Sequence, residues 1–117
     1  MTTRISEPGQ AKPVCTIIGV GPGTGAAFAR RFAAEGYRVA MLARNADLID
    51  ALAAELPQSR AYVTDASDTA ALARTLSAVA DEMGAIDVLI YNAGKGIWGS
   101  ATEVSLADFE EAWTFLA

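Results

Sequence analysis

The segment Val14-Cys-Thr-Ile-Ile-Gly-Val-Gly-Pro-Gly-Thr-Gly-Ala26 joins an apolar, largely β-branched run to four closely spaced glycines. An Ala- and Phe-rich stretch begins directly after them. This order predicts a buried strand, a tight turn and a helix. Glycines allow such a turn to adopt positive φ and allow a ligand to approach the backbone closely. Since a helix N-terminus also offers free N–H groups to an anion, the segment indicates a phosphate-binding turn.

The glycines fit two spacings. One is Gly19-x-x-x-Gly23-x-Gly25, and the other is Gly21-x-Gly23-x-x-Ala26, which matches the common dinucleotide fingerprint. Because the apolar run stops immediately before Gly19, we interpret Gly19 as the turn glycine and prefer the first spacing. An ordinary strand-to-helix turn that binds nothing is the alternative.

Length, composition and charge exclude several classes of protein. The 117 residues suffice for one domain, and a hydrophobic content of 52% predicts a folded core. The net charge of −5, without a basic cluster, argues against a nucleic-acid partner. No apolar run approaches the ~20 residues of a membrane span, and the first 13 residues lack the apolar region of a signal peptide. We therefore expect no membrane partner and a cytoplasmic protein.

The rare residue types narrow the chemistry further. The single cysteine, Cys15, falls in the first predicted strand, where we expect a buried structural thiol. The chain has no histidine, which excludes His-based catalytic triads and His-liganded metal sites. We predict no metal site.

Strands and helices alternate along the rest of the chain. Residues 1–12 are polar and are expected to form a flexible leader before the folded part, 13–117. Strands are predicted over 14–18, 38–42, 61–64 and 86–91, and helices over 24–35, 47–56, 69–83 and from Ser105 onward. Helical spacing places Leu48, Leu52 and Leu56 on one face of the second helix, and Leu72, Leu76, Val79, Ala80 and Met83 on one face of the third. Ser67 or Asp68 can cap the third helix.

This alternation predicts an α/β fold with a parallel sheet. Right-handed crossovers, together with a glycine turn after the first strand, favour a Rossmann-type doubly wound sheet with strand order 3-2-1-4. About four strands are present, so we expect an incomplete version of that fold.

With these elements in place, residues 13–117 resemble the short-chain dehydrogenase/reductase family. Four features at predicted strand ends carry the resemblance: the Gly19–Gly25 turn, Ala43-Arg44-Asn45, Asp65, and Tyr91-Asn92-Ala93-Gly94. In that family the turn holds the cofactor pyrophosphate and the aspartate lies near the adenine. The asparagine ties neighbouring strands together, and the Ala-Gly backbone lines the cofactor site. Tyr91 departs from the usual first asparagine, and we expect it to alter packing beside the cofactor without abolishing the site.

The resemblance implies a nicotinamide dinucleotide as ligand. The residues expected to hold it are Gly19, Gly21, Pro22, Gly23, Thr24, Gly25, Arg44, Asn45, Asp65, Ala66, Asn92, Ala93 and Gly94. Two of these features have simpler interpretations. Asp65 can serve only as a turn or capping residue, and Asn92-Ala93-Gly94 can be a left-handed turn, because these residue types favour both.

Arg44 bears on the choice of cofactor. An NAD site has an acidic residue near this position to accept a hydrogen bond from the ribose 2′-hydroxyl, whereas this chain has Ala43 followed by Arg44. A guanidinium can instead hold a 2′-phosphate through paired, charged hydrogen bonds. We therefore predict that NADP(H) is preferred over NAD(H). The alternative is a solvated surface arginine.

The resemblance also implies a second half that contains a Ser and a Tyr-x-x-x-Lys pair, and the chain stops before them. Tyr91 and Lys95 fit that spacing, but a strand-to-loop junction does not bring positions i and i+4 onto one face as a helix would. No catalytic residue is therefore assigned. We expect the intact protein to transfer hydride between NADP(H) and a small carbonyl or alcohol, and the chain alone to be inactive.

Two other classes of protein compete with this interpretation. A non-catalytic dinucleotide-binding or sensor protein would share every motif. An S-adenosylmethionine-dependent methyltransferase would carry acidic residues before the first glycine and at the end of the second strand, where this chain has Ile18 and Ala43-Arg44. Without further strands, the apolar fourth strand would be an open edge. We therefore expect a chain that is marginal, self-associating or dependent on its missing half. The resemblance also implies a homo-oligomer, since the last helix belongs to a common dimer surface in the family.

Overall fold

The computed structural model describes residues 12–93, 105–107 and 110. The strands are β1 (Val14–Ile18), β2 (Arg38–Ala43), β3 (Arg60–Val63) and β4 (Ile86–Tyr91), and the helices are α1 (Thr24–Ala34), α2 (Ala46–Glu55) and α3 (Thr69–Met83). Each predicted boundary lies within one residue of the observed one. Residues 1–11 of the predicted leader lie outside the described residues, as does most of the last predicted helix, of which Leu106, Ala107 and Glu110 are helical.

The four strands form one parallel sheet in the order β3-β2-β1-β4, which confirms the predicted order. Thr16 at the centre of β1 pairs with Ala40 of β2 on one side and with Leu89 of β4 on the other. All four strands therefore point their carboxyl ends toward one edge of the sheet, where ligands of open α/β sheets bind.

The core lies on both faces of the sheet. Alternate residues of β1 and β2 pack against α1 and α2 on one face and against α3 on the other, because successive strand side chains point to opposite faces. Cys15 is fully buried, as predicted, and this burial raises the pKa of its thiol to about 12. Ala26 and Ala29 are buried where α1 crosses the sheet.

Two details of the predicted core are wrong. Ala80 is exposed, since the packed face of α3 centres on Val79 and Met83. In α2, the fully buried residues include Ile49, which the predicted leucine stripe omitted. The two neighbouring leucines of that stripe, Leu48 and Leu56, are only partly buried.

The helix ends near the sheet edge differ from one another. The Asn45 side chain caps α2 by accepting a hydrogen bond from the Leu48 amide over 3.3 Å, and Asp68 caps α3 by accepting one from the Ala71 amide over 3.0 Å. The first turn of α1 has no side-chain cap and no acidic residue. Within the described ranges, no helix is both long and apolar enough to span a lipid bilayer.

Candidate functional site

A groove of about 340 Å³ opens at the carboxyl edge of the sheet. Because the strands are parallel, the residues that follow β1, β2, β3 and β4 converge there. It is lined by Ile18, Gly19, Val20, Gly21, Leu42, Ala43, Arg44, Asn45, Thr64, Ala66, Asn92 and Ala93. The groove therefore brings together seven of the predicted site residues: Gly19, Gly21, Arg44, Asn45, Ala66, Asn92 and Ala93.

Gly19 and Gly25 are required by the close packing of the turn. Gly19 has φ +94, and a Cβ there would lie 2.5 Å from the Cα of Ala93. A Cβ on Gly25 would lie 2.6 Å from the Gly19 carbonyl oxygen and 2.7 Å from the Cα of Val20. Real Cβ atoms do not approach backbone so closely, so no larger residue fits at either position without a backbone shift.

Gly21 and Gly23 differ in this respect. A Cβ at either position would meet no atom within 4 Å. Gly21 lines the groove, so the absence of a side chain leaves its backbone open to a ligand. The predicted residues Pro22 and Thr24 are exposed next to it, at the uncapped start of α1. They do not line the groove itself, and neither do Gly23 and Gly25.

Asn92 connects the end of β4 to the glycine turn. Its backbone amide donates to the Ile18 carbonyl over 2.8 Å, and its side-chain amide donates to the Gly19 carbonyl over 3.1 Å. These bonds bring the backbone of Ala93 against Gly19 and give one wall of the groove. The predicted residue Gly94 lies outside the described residues.

Arg44 and Asn45 form the lip of the groove after β2. Arg44 is exposed and lines the groove, so its guanidinium can reach an anion that binds there. The oxygen of the Asn45 side chain is occupied as the cap of α2. Next to them, the Thr64 amide donates to the Ala43 carbonyl over 3.0 Å, which holds the end of β3 beside Arg44.

Asp65 is engaged within its own turn. Its Oδ1 accepts hydrogen bonds from the Ser67 hydroxyl over 2.7 Å and from the Ser67 amide over 2.9 Å. These two bonds, with a smaller contribution from the charge of Arg44, lower the pKa of the Asp65 carboxyl below its ordinary value. Asp65 does not line the main groove, although its neighbours Thr64 and Ala66 do.

Five residues that line the groove were not among the predicted site residues: Ile18, Val20, Leu42, Ala43 and Thr64. All five end or follow a strand at the edge where the groove lies, so the rule that ligands bind at the carboxyl ends of parallel strands would have included them. The motifs singled out the glycines and the polar residues at these strand ends, and for that reason their neighbours did not stand out. Thr64 is nine-tenths buried.

The arrangement suits an elongated, anionic ligand. An uncapped helix start and a bare glycine backbone can hold a phosphate group. A cationic lip lies one strand away, and a carboxylate lies one strand beyond it. The edge can therefore hold one anionic group at the turn and another at Arg44.

Comparison with known proteins identifies the family. A family model described as short chain dehydrogenase matches residues 13–115. Meso-2,3-butanediol dehydrogenase of Serratia marcescens is 42% identical over 98 residues, which are 82% of this chain and 39% of that protein. D-threitol dehydrogenase of Mycolicibacterium smegmatis is 37% identical over 101 residues, which are 83% of this chain and 39% of that protein. The chain thus spans about two-fifths of the length of these curated relatives.

Solved structures show the same fold. A short-chain dehydrogenase/reductase from Serratia marcescens superposes with a TM-score of 0.82 at 30% identity, covering 90% of this chain and 45% of that one. An alcohol dehydrogenase from the archaeon Thermococcus sibiricus, complexed with 5-hydroxy-NADP, superposes with a TM-score of 0.84 at 30% identity, covering 89% and 46%. From its sequence match, its strand order and these neighbours, the chain belongs to the short-chain dehydrogenase/reductase family of oxidoreductases.

Proposed function

We propose that this chain binds a nicotinamide dinucleotide in the groove, with NADP(H) preferred over NAD(H). The observation that carries the proposal is the glycine turn itself. It combines a bare backbone at Gly21, which lines the groove, with the uncapped N-terminus of α1, which begins three residues later. Such a turn presents N–H groups and the positive end of the helix dipole to a pyrophosphate.

Each part of the ligand has a proposed partner. The pyrophosphate lies against the backbone of Gly19, Gly21, Pro22, Gly23, Thr24 and Gly25. The adenosine half lies along the ends of β2 and β3, at Arg44, Asn45, Asp65 and Ala66. Asn92, Ala93 and Gly94 are assigned to the nicotinamide half. The order of the strand ends supports these assignments. Of the assigned residues, those that line the groove are Gly19, Gly21, Arg44, Asn45, Ala66, Asn92 and Ala93.

Arg44 is the basis of the proposed preference for NADP(H). Its exposed guanidinium stands at the lip of the groove, and no acidic residue occupies that strand end to bind a ribose 2′-hydroxyl. A guanidinium binds a phosphate through paired, charge-assisted hydrogen bonds, which an unphosphorylated ribose cannot accept. NADP(H), which carries the 2′-phosphate, therefore binds more tightly through Arg44. NAD(H), which has only the 2′-hydroxyl there, gains little from this residue.

We propose further that the whole protein transfers hydride between the bound cofactor and a small carbonyl or alcohol. The cofactor supplies the hydride chemistry when it is bound. The residues of this chain bind and orient the dinucleotide, and none of them is assigned as the proton donor. A cytoplasmic location and a homo-oligomeric state are part of the proposal.

The proposal is tested by titration calorimetry of the chain with NADPH, NADH and S-adenosylmethionine. We expect NADPH to bind most tightly, NADH more weakly and S-adenosylmethionine not at all. Binding of S-adenosylmethionine in preference to either dinucleotide, or no binding of any of the three by the folded chain, would contradict the proposed ligand. Tighter binding of NADH than NADPH would contradict the cofactor preference alone.

A further inference from the structure

The Thr64 hydroxyl is buried at the edge of the groove without a hydrogen-bond partner. The residue is 9% exposed, and its Oγ1 neither donates nor accepts a hydrogen bond within the described residues. A buried hydroxyl of this kind destabilises a folded protein, because it has lost its hydrogen bonds to water and gained none in return. Among such hydroxyls in the described ranges, that of Thr64 is the one whose residue lines the groove. A ligand in the groove can therefore supply the bond that the fold does not.

The register of β2 and β3 places Thr64 opposite Arg44. The last pair of the two strands is Ala43 and Val63, and the Thr64 amide donates to the Ala43 carbonyl over 3.0 Å. The next positions along the chain are Arg44 and Thr64, and both residues line the groove. Since adjacent strands lie about 4.8 Å apart, a guanidinium and a hydroxyl at these positions can bind one phosphate group together.

The charges at this strand end favour an anion. The pKa of the Asp65 carboxyl is lowered chiefly by hydrogen bonds from Ser67, with a smaller contribution from the charge of Arg44, so that charge extends to the end of β3. The Asp65 carboxylate is bonded to Ser67 through Oδ1, and Asp65 does not line the groove. Among the described residues that do line it, Arg44 is the one that carries a charge.

We propose that Thr64 is a specificity-determining residue for NADP(H), whose hydroxyl donates a hydrogen bond to the ribose 2′-phosphate that Arg44 holds from the neighbouring strand. A hydroxyl bonds more strongly to a charged phosphate oxygen than to the neutral 2′-hydroxyl of NAD(H). One staggered step about the Cα–Cβ bond redirects the hydroxyl without moving the backbone. This inference rests on the proposed binding of NADP(H) in the groove.

The experiment removes the hydroxyl and compares the two cofactors. Calorimetry measures the dissociation constants of NADPH and NADH for the wild-type chain, for Thr64→Val and for Thr64→Ser. Thr64→Val replaces the hydroxyl by a methyl group. We expect it to weaken NADPH binding by about tenfold, near the lower end of the range for a hydrogen bond to a charged group, and to leave NADH binding unchanged. Thr64→Ser keeps the hydroxyl and should keep the preference for NADPH.

Thr16→Val is the matched control. Thr16 lies in β1, and its buried hydroxyl also has no partner within the described residues, but it does not line the groove. Both valine variants should melt at or above the wild-type temperature, because each removes a buried, unpaired hydroxyl. We expect only Thr64→Val to change the ratio of the two affinities.

The possible failures of the inference and of the proposed function can be told apart. If the wild type prefers NADPH and Thr64→Val leaves that preference unchanged, the inference is wrong and the proposed function stands. An equal loss of affinity for both cofactors would also overturn the inference, since it indicates a general change in the groove. A melting temperature of Thr64→Val well below that of the wild type would overturn it too, because the hydroxyl would then stabilise the fold. A folded wild-type chain that binds neither dinucleotide contradicts the proposed function, and the inference fails with it.

Discussion

The side-chain amide of Asn92 donates a hydrogen bond to the main-chain carbonyl of Gly19 over 3.1 Å, across a separation of 73 residues in sequence. This bond joins the end of β4 to the turn after β1, and both segments line the groove. The shape of the groove therefore depends on a contact between distant parts of the chain.

Asn92→Ala is expected to lower the free energy of unfolding by about 1–2 kcal/mol, because the partly buried Gly19 carbonyl loses its donor. Asn92→Asp should cost more, since a carboxylate oxygen would face that carbonyl. Urea unfolding followed by circular dichroism measures both effects. An Asn92→Asp variant as stable as the wild type would show that the bond contributes nothing.

The glycines of the turn should separate into two groups on mutation. Gly19→Ala places a Cβ against the Ala93 backbone at a position with positive φ, so we expect it to destabilise the fold by more than about 2 kcal/mol. Gly21→Ala adds a methyl group to open space in the groove and should leave stability nearly unchanged while weakening NADPH binding. Thermal unfolding and calorimetry on both variants test this. Unimpaired binding by a folded Gly21→Ala chain would contradict the placement of the pyrophosphate.

Arg44→Ala is expected to reduce NADPH affinity by about 10- to 150-fold, the equivalent of one charged hydrogen bond of roughly 1.5–3 kcal/mol, and to leave NADH affinity nearly unchanged. Arg31→Ala serves as the matched control. Arg31 is exposed on α1, where it pairs with Glu35 over 2.9 Å near the C-terminal end of the helix. If Arg44→Ala weakens both cofactors equally, or neither, then Arg44 does not select the 2′-phosphate.

The outer strand β4 should promote association between copies of the chain. It lies at the edge of the described sheet, and Leu89 and Tyr91 are 54% and 51% exposed. Unpaired strand edges with apolar side chains invite pairing. Sedimentation velocity at increasing concentration should show oligomers, which Leu89→Lys reduces. A sharply monomeric wild-type chain with a cooperative thermal transition would refute this expectation.

Local signals explain why the elements could be predicted closely. Gly36 and Gly84, both with positive φ, follow the ends of α1 and α3, and Asp68 is a capping residue at the start of α3. Strand order followed from the alternation of elements and from the handedness of crossovers. The glycine and capping signals lie within a few residues of the boundaries they mark, so no knowledge of distant contacts was needed for the element ends.

Features that depend on distant contacts could not be predicted in the same way. The clash that excludes a side chain at Gly19 comes from Ala93, and the groove includes Thr64 because its amide bonds to Ala43. Ile49 is buried because the packed face of α2 is rotated from the leucine stripe, and only packing on β2 and β3 reveals that rotation. The cofactor preference and the individual ligand contacts stay predictions.

The most direct test of the proposed dinucleotide site is a titration of the isotopically labelled chain with NADPH, in which the amide chemical shifts are measured by NMR at each NADPH concentration. We expect the largest shifts at Gly19–Gly25, at Arg44 and Ala66, and at Asn92 and Ala93, and we expect the amides of α3 to change little. Shifts that cluster away from the carboxyl edge of the sheet, or a folded chain whose spectrum NADPH leaves unchanged, would contradict it.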